Sequence, residues 1–284
     1  MTSPAGWAGG SFGAASACVL APNPGLMTLD GTNTWVLRGA PDGPSYVVDP
    51  GPLDESHLAA VAEAAGEVRG VLLTHGHADH SEGARAFAER VGCGVRALDP
   101  AHRLGEEGLG EGDVVELGGW EVRVVATPGH TSDSLSFLLP AEGAVLTGDT
   151  VLGRGTTVVA HPDGRLGAYL DSLDRLHALA AAHEVSAIWP GHGPVIPEAL
   201  PVLDYYVAHR RERLEQVREA VRELRADPAT YVSLTGPDPL ADDSGLPRAV
   251  VEIVYADVDE VLWGAAELSV RAQLTYLFSR GLVG

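Results

Sequence analysis

Three of the chain's 11 histidines fall within six positions, in the run Thr74-His75-Gly76-His77-Ala78-Asp79-His80. Imidazole and carboxylate donors at this density suit a transition metal, and the absence of a thiolate among them favours zinc, with iron or manganese accepted by the same ligands. On a tight loop residues two apart point the same way, so His75 and His77 can share one ion while Asp79 and His80 face a second. A surface histidine cluster without metal is the plain alternative, and four donors in six positions argue against it. Three further segments each set one potential ligand beside Gly or Pro: Pro128-Gly129-His130-Thr131, Gly148-Asp149-Thr150 and Pro190-Gly191-His192-Gly193. Singly, His130 or His192 reads as an ordinary polar loop residue. Together the seven side chains complete two metal sites of ordinary ligand count.

Each ligand segment follows a short apolar run: Val71 to Thr74, Val124 to Thr127, Val145 to Thr147, and Ile188 with Trp189. A site assembled from distant positions needs loops delivered to one edge of a sheet, and the flanking Gly and Pro supply the sharp turns. Further strands are predicted over Thr34–Arg38, Tyr46–Asp49, Val114–Leu117, Glu121–Ala126, Ser134–Leu139, Ala144–Thr147 and Ala187–Trp189, with helices over Leu58–Ala65 and Ser81–Val91. This alternation is an α/β layout. Trp35 and Trp189 read as core residues, Trp120 as part of a Gly-Gly turn, and His57, His102, His177 and His183 as residues of plain helices or loops. The Gly/Ala-rich stretch up to Cys18 reads as a lead-in, because no apolar run of signal-peptide length precedes it.

The pattern changes after Pro201. Leu203 to Leu224 is predicted as one long helix in which Arg210, Arg211, Arg213, Arg218 and Arg222 alternate with Glu212, Glu215, Glu219 and Glu223 at i, i+3 and i, i+4 spacings. Asp227-Pro228 and Gly236-Pro237 then break the chain, and Pro247–Ala256 and Leu262–Ser279 read as two more helices. The expected organisation is a catalytic domain over residues 1–200 and a small helical domain over 201–284, the latter serving as a scaffold or a homodimer contact.

The 284 residues carry 39 acidic and 19 basic side chains, a net charge of -20, and every basic residue is Arg. A chain without Lys cannot form a Schiff base or a phosphate-binding P-loop. Its negative field repels polyanions, which disfavours RNA as a partner, and neither part is basic, with 10 Arg against 25 acids in residues 1–200 and 9 against 14 beyond. Cys18 and Cys93 show no pair spacing, which points to a reducing, cytoplasmic setting. No stretch approaches the roughly 18 apolar residues of a membrane span.

The motifs THGHADH, TPGHT, LTGDT and PGHG, in this order and spacing, resemble the metallo-β-lactamase superfamily. The resemblance implies an αββα sandwich, two mixed sheets flanked by helices. It implies that His75, His77 and His130 hold one ion, that Asp79, His80 and His192 hold the other, and that Asp149 bridges both. The true β-lactamases lack that aspartate, so the resemblance is to the glyoxalase II and ribonuclease Z branch. TLDGTNT at 28–34, VLGRGTTV at 151–158, SLDRL at 172–176 and WPGHGPVI running on to Tyr206 and Ala208-His209-Arg210 are similar to the β-lactamase-like protein 2 subfamily, which adds a C-terminal winged-helix-like domain. The subfamily includes an endoribonuclease acting on single-stranded RNA, and similar bacterial and fungal proteins are hydrolases or thioesterases. The animal protein's lysines have no counterpart here. The subfamily pattern sets Asn33, Thr156, Thr157, His161 and His209 near the site, with Arg154 or Arg210 available to hold a phosphate or carboxylate.

The expectation is a hydrolase with two zinc ions that uses a hydroxide held between them, with Asp79 orienting it and Asp149 setting the metal separation. The substrate is a small ester, thioester or lactone. The alternatives are a metal-dependent endoribonuclease cleaving single-stranded RNA, a metal-binding scaffold, and oxygen chemistry at a single iron.

Overall fold

Period-two apolar alternation in the strands fixes which face of each sheet is covered. The computed structural model describes residues 6–236 and 238–283, so Pro237 of the expected Gly236-Pro237 break lies outside the described residues. The order is β1 (Gly10–Phe12), β2 (Ser16–Leu20), β3 (Asn33–Arg38), β4 (Ser45–Val48), α1 (Glu55–Ala65), β5 (Val68–Leu72), α2 (Ala78–Ser81), α3 (Ala84–Val91) and β6 (Gly94–Arg96). Then come β7 (Val114–Leu117), β8 (Trp120–Ala126), β9 (Leu135–Leu139), β10 (Ala144–Gly148), α4 (Leu166–Ala182), β11 (Ala187–Pro190), α5 (Ala199–Arg225), α6 (Pro228–Thr235), α7 (Leu246–Val254) and α8 (Trp263–Ser279). Among the described residues one sheet has six strands in the order β1-β2-β3-β4-β5-β6, and the other five in the order β11-β10-β9-β8-β7.

In β3, Trp35 and Leu37 face one way and Val36 the other, and in β4 Val48 and Val47 divide likewise. The first set joins Val122, Val124, Leu135, Phe137, Leu146 and Trp189 in a core between the sheets, where Trp35 and Trp189 stack at 4.8 Å. The second set packs with Leu58 and Val61 of α1 and Phe87 of α3, which cover the outer face of the six-stranded sheet. Each of these large side chains contributes roughly 1.5–3 kcal/mol on burial. Asp54 caps α1 by accepting the His57 N–H at 2.8 Å.

The chain forms two compact units that are not consecutive stretches. Of the described residues, the first comprises those up to Thr127, Asp133–Thr157 and Arg175–Leu203, and the second Pro128–Ser132, Val158–Asp174 and those from Asp204 on. The second has its own core, with Val217 and Val221 of α5, Leu246, Val250 and Val251 of α7, and Val270, Leu274 and Leu277 of α8. From residue 204 on, the described residues form helices and turns, with no strand among them. No helix among the described residues is long and apolar enough to cross a membrane.

The expected lead-in is instead sheet. Small residues let β2 lie against β3, pairing Ala17 with Val36 and Cys18 with Trp35, although the Gly/Ala-rich sequence shows no alternation of large side chains. Asp227-Pro228, expected only as a break, also starts α6: Asp227 accepts the N–H groups of Ala229 and Thr230, and proline suits a first helical turn. Burial of Cys18 pushes its thiol pKa far up, and burial raises that of half-buried Cys93 as well. In the folded protein iodoacetamide should alkylate Cys93 slowly and Cys18 not at all until denaturant is added. Peptide mass mapping reads this, and a labelled Cys18 in folded protein would contradict the pairing of β2.

Candidate metal centre

The two sheets are mostly antiparallel, but β4, β5 and β6 run parallel to one another, and β10 runs parallel to β11. Parallel neighbours place their carboxyl ends side by side, the position where α/β sheets build sites. Asp49 follows β4, and the His75–His80 run follows β5. Asp149 follows β10, and Gly191-His192 follows β11, where the Gly191 N–H donates to the Gly148 carbonyl at 2.9 Å.

Four donor side chains of the first unit converge. His80 Nε2 lies 3.2 Å from His192 Nε2, 3.3 Å from Asp149 Oδ1 and 3.5 Å from Asp79 Oδ2. His192 Nε2 lies 3.1 Å from Asp79 Oδ2 and 3.4 Å from Asp149 Oδ2. The opposite nitrogens are committed elsewhere, since His80 Nδ1–H donates to Asp49 Oδ2 at 2.9 Å and His192 Nδ1–H to the Gly31 carbonyl at 3.1 Å. Each ring therefore turns Nε2 toward the carboxylates, and with Nδ1–H donating elsewhere Nε2 is the nitrogen that a metal would take once its proton is displaced. Asp79, His80 and His192 form one group whose donor atoms lie within 4.8 Å of each other, and His75, His80 and Asp149 form another. His75 Nε2 and His77 Nδ1 approach to 3.1 Å. This donor set fits transition-metal ions.

The close approach requires glycine at 191. A Cβ there would lie 2.5 Å from Asp149 Oδ1 and 2.8 Å from His80 Cε1, inside the donor cluster.

Asp49, expected from the sequence only as the end of a strand, is the main site residue without a motif to mark it. It is buried, its φ is 52°, and its carboxylate accepts the Thr74 N–H at 2.8 Å, the Thr74 hydroxyl at 2.6 Å and His80 Nδ1–H. A left-handed backbone outside glycine is tolerated best by Asn and Asp, and strain of this kind gathers at functional sites. The available signal was an aspartate closing a strand just before Pro50-Gly51.

Charges dominate the ion-free site. Burial pushes the His192 pKa down, but the Asp149 charge and the hydrogen bonds to Asp149 and Asp79 outweigh it and raise the value to about 9. For His80 burial again opposes, and Asp149 and Asp49 together hold the pKa well above the ordinary histidine value. Burial alone would raise Asp149, yet the His192 and His80 charges hold it well below the carboxylate range. Asp79 follows the same pattern more weakly. The four groups thus form two buried ion pairs whose protons a metal would displace.

The remaining expected residues fall in both units. Asn33 is buried and spent on structure: its amide donates to the Pro190 and Gly193 carbonyls at 2.9 and 2.8 Å, and its oxygen accepts Trp7 Nε1–H at 2.7 Å. Arg154 is exposed and pairs with Asp30, while Thr156 is half-buried and Thr157 buried. His130, His161, His209 and Arg210 belong to the second unit. His130 is buried, with Nδ1–H donating to the Val158 carbonyl at 2.8 Å. His209 stacks on Tyr205, and burial followed by the Arg210 and Arg213 charges lowers its pKa. Arg210 is buried with its guanidinium 5.1 Å over the Tyr169 ring.

Residues 27–236 match the metallo-beta-lactamase superfamily, and residues 247–284 match the beta-lactamase associated winged helix domain. The chain is 32% identical over 261 residues to the lactamase-like protein adaB of Aspergillus niger, covering 88% of this chain and 79% of that protein. It is 32% identical over 251 residues to the atrochrysone carboxyl ACP thioesterase of Aspergillus fumigatus, covering 84% and 74%. With the beta-lactamase-like protein 2 homolog of Caenorhabditis elegans it shares 32% over 224 residues, covering 72% and 70%. The crystal structure of a beta-lactamase domain protein from Burkholderia ambifaria has the same fold, with a TM-score of 0.74 at 24% identity over 99% of this chain and 91% of that one. Strand-end loops carrying His/Asp donor groups, two packed sheets and a C-terminal helical region therefore identify this chain as a member of the metallo-beta-lactamase superfamily, a metal-dependent hydrolase extended by the winged helix domain associated with that fold.

Proposed function

We propose that the protein hydrolyses a small acyl substrate, a thioester or ester, with two zinc ions. His75, His77 and His130 would hold one ion, Asp79, His80 and His192 the other, and Asp149 would serve both. The carrying observation is the convergence of His80 and His192 Nε2 on the Asp79 and Asp149 carboxylates at 3.1–3.5 Å, with both Nδ1 atoms engaged elsewhere. When bound, such ions bring the pKa of water toward ~7 and polarise a carbonyl. Asp79 is the least enclosed of the carboxylates, with its side chain 30% exposed. It stays ionised at neutral pH, so it can accept a hydrogen bond from the attacking water and orient a lone pair toward the carbonyl carbon. Asp149 offsets ion charge within the enclosed part of the site, and Asp49 keeps His80 in its ligating tautomer.

The charge distribution supports acyl over phosphodiester substrates. Arg85, Arg90, Arg96, Arg123, Arg154, Arg175, Arg218, Arg222, Arg248 and Arg271 are each paired with a carboxylate, and the net charge of -20 opposes the approach of an RNA backbone. The thioesterase name of one similar fungal protein points the same way.

The test sets a panel of acyl thioesters and chromogenic esters against labelled single-stranded RNA, with Asp79→Asn as control and metal content measured alongside. Thioester turnover that is lost in Asp79→Asn and barely changes between 50 and 200 mM salt is expected, whereas phosphate contacts lose affinity steeply over ~50–200 mM. RNA cleavage abolished in the variant, without acyl turnover, would sink the proposal in favour of the endoribonuclease.

A further inference from the structure

The backbone of the loop carrying His130, residues 128–132, is bonded to other residues of the second unit, chiefly to 158–174. His130 Nδ1–H donates to the Val158 carbonyl at 2.8 Å, which leaves Nε2 as the lone-pair nitrogen. The Ser132 N–H donates to Asp163 Oδ2 at 2.9 Å, the Arg165 N–H to the Gly129 carbonyl at 2.9 Å, and the Ser172 hydroxyl to the Pro128 carbonyl at 2.7 Å. At Gly129, with φ 138°, a Cβ would fall 2.3 Å from Tyr169 Cα, so the loop lies directly on the start of α4.

That segment is itself held by the C-terminal helices. The His161 N–H donates to the Leu268 carbonyl of α8 at 3.2 Å, and the Tyr276 ring of α8 lies 3.3 Å from where a Gly167 Cβ would be. Tyr169 is fully buried beneath the Arg210 guanidinium of α5. Two layers of contacts therefore run from α8 and α5 to residues 158–174, and from there to residues 128–132.

We infer that the C-terminal helices act as the support for His130, with Asp163 and Tyr276 as positioning residues that set ion affinity at the site His130 serves. This rests on the reading of His130 as a ligand. It gives the appended helical region a role in the chemistry that needs neither a basic surface nor a separate partner. Groups that orient a ligating histidine change metal affinity by about 10–100-fold, which is the scale expected here.

The experiment uses the full chain. Wild type, Asp163→Ala, Asp163→Asn, Tyr276→Ala and Tyr276→Phe are stripped with chelator and titrated with cobalt(II), following the absorption bands of each ion, while hydrogen exchange is read on peptides spanning 128–132 and 190–193. Wild type should bind two ions. Asp163→Ala and Tyr276→Ala should each weaken one of them by about 10–100-fold and speed exchange in 128–132 while leaving 190–193 unchanged. Asp163→Asn keeps an acceptor oxygen for the Ser132 N–H, and Tyr276→Phe keeps the ring, so both should behave as wild type. Asp163 is exposed, so its alanine variant keeps the test open should Tyr276→Ala misfold. Two ions bound with unchanged affinity in the alanine variants would overturn the inference, as would faster exchange without any change in affinity. A wild type that binds no ion would remove the metal reading itself, and this inference with it.

Discussion

Asp149→Asn should lower hydrolysis by about 10³-fold and reduce bound metal from two ions toward one. The substitution keeps the shape and removes one negative charge from a buried cluster in which Asp149 lies 3.3 Å from His80 Nε2 and 3.4 Å from His192 Nε2. Metal-based stabilisation of transition-state charge amounts to several kcal/mol, and a factor of ten in rate corresponds to about 1.4 kcal/mol. A second readout needs no activity. In ion-free protein the His192 pKa is raised to about 9, so its contribution to stability is fully present below the unfolded histidine value of ~6.5 and is lost as pH rises through about 9. Asp149→Asn removes the main charge behind that shift. Chelator-treated wild type should therefore lose more stability between those pH values than the variant, measured by urea midpoints. A variant with wild-type turnover and two ions would refute the role given to Asp149.

Asp49→Ala should destabilise the ion-free protein by about 3–5 kcal/mol, because it takes from a buried, positively charged His80 the acceptor of its Nδ1–H, leaving only the carboxylates on its Nε2 side, and orphans two Thr74 donors. Asp49→Asn separates the effects. Its oxygen can still accept from Thr74, but its NH2 cannot accept the His80 Nδ1–H, so the imidazole is driven to the tautomer that protonates Nε2. That variant should remain folded and yet bind the ion at Asp79, His80 and His192 at least about 10-fold more weakly. Thermal unfolding and metal titration give the two numbers, and tight binding by Asp49→Asn would show that Asp49 does not set the tautomer.

The converging donor side chains were legible because the chemistry that would use them restricts both residue type and spacing. His75, His77, Asp79 and His80 are adjacent in sequence, and Asp149 and His192 declare themselves through the glycines that let the chain turn beside them. Asp49 was not legible, since its part is to hold His80 across 31 positions, and no local pattern marks a long-range hydrogen bond. The same limit applies to β2, whose pairing comes from its neighbour β3 and not from its own small residues. Asn33 shows the converse: its motif drew attention, and its amide proves to tie β3 to the loop carrying His192.

The interleaving of the two compact units also governs the order of events on the ribosome. Residues 128–132 leave the exit tunnel early, yet the α8 positions that brace their supporting segment, Leu268 and Tyr276, are translated roughly 140 residues later. At about 5–20 residues per second, the nascent chain carries His130 for roughly 7–30 s before those contacts can form. During that interval the first unit's core can already condense, while the histidine loop has no fixed seat. Chains released early by nonsense codons or stalled synthesis would then hold the four converging donors of the first unit while residues 128–132 lack their α8 support.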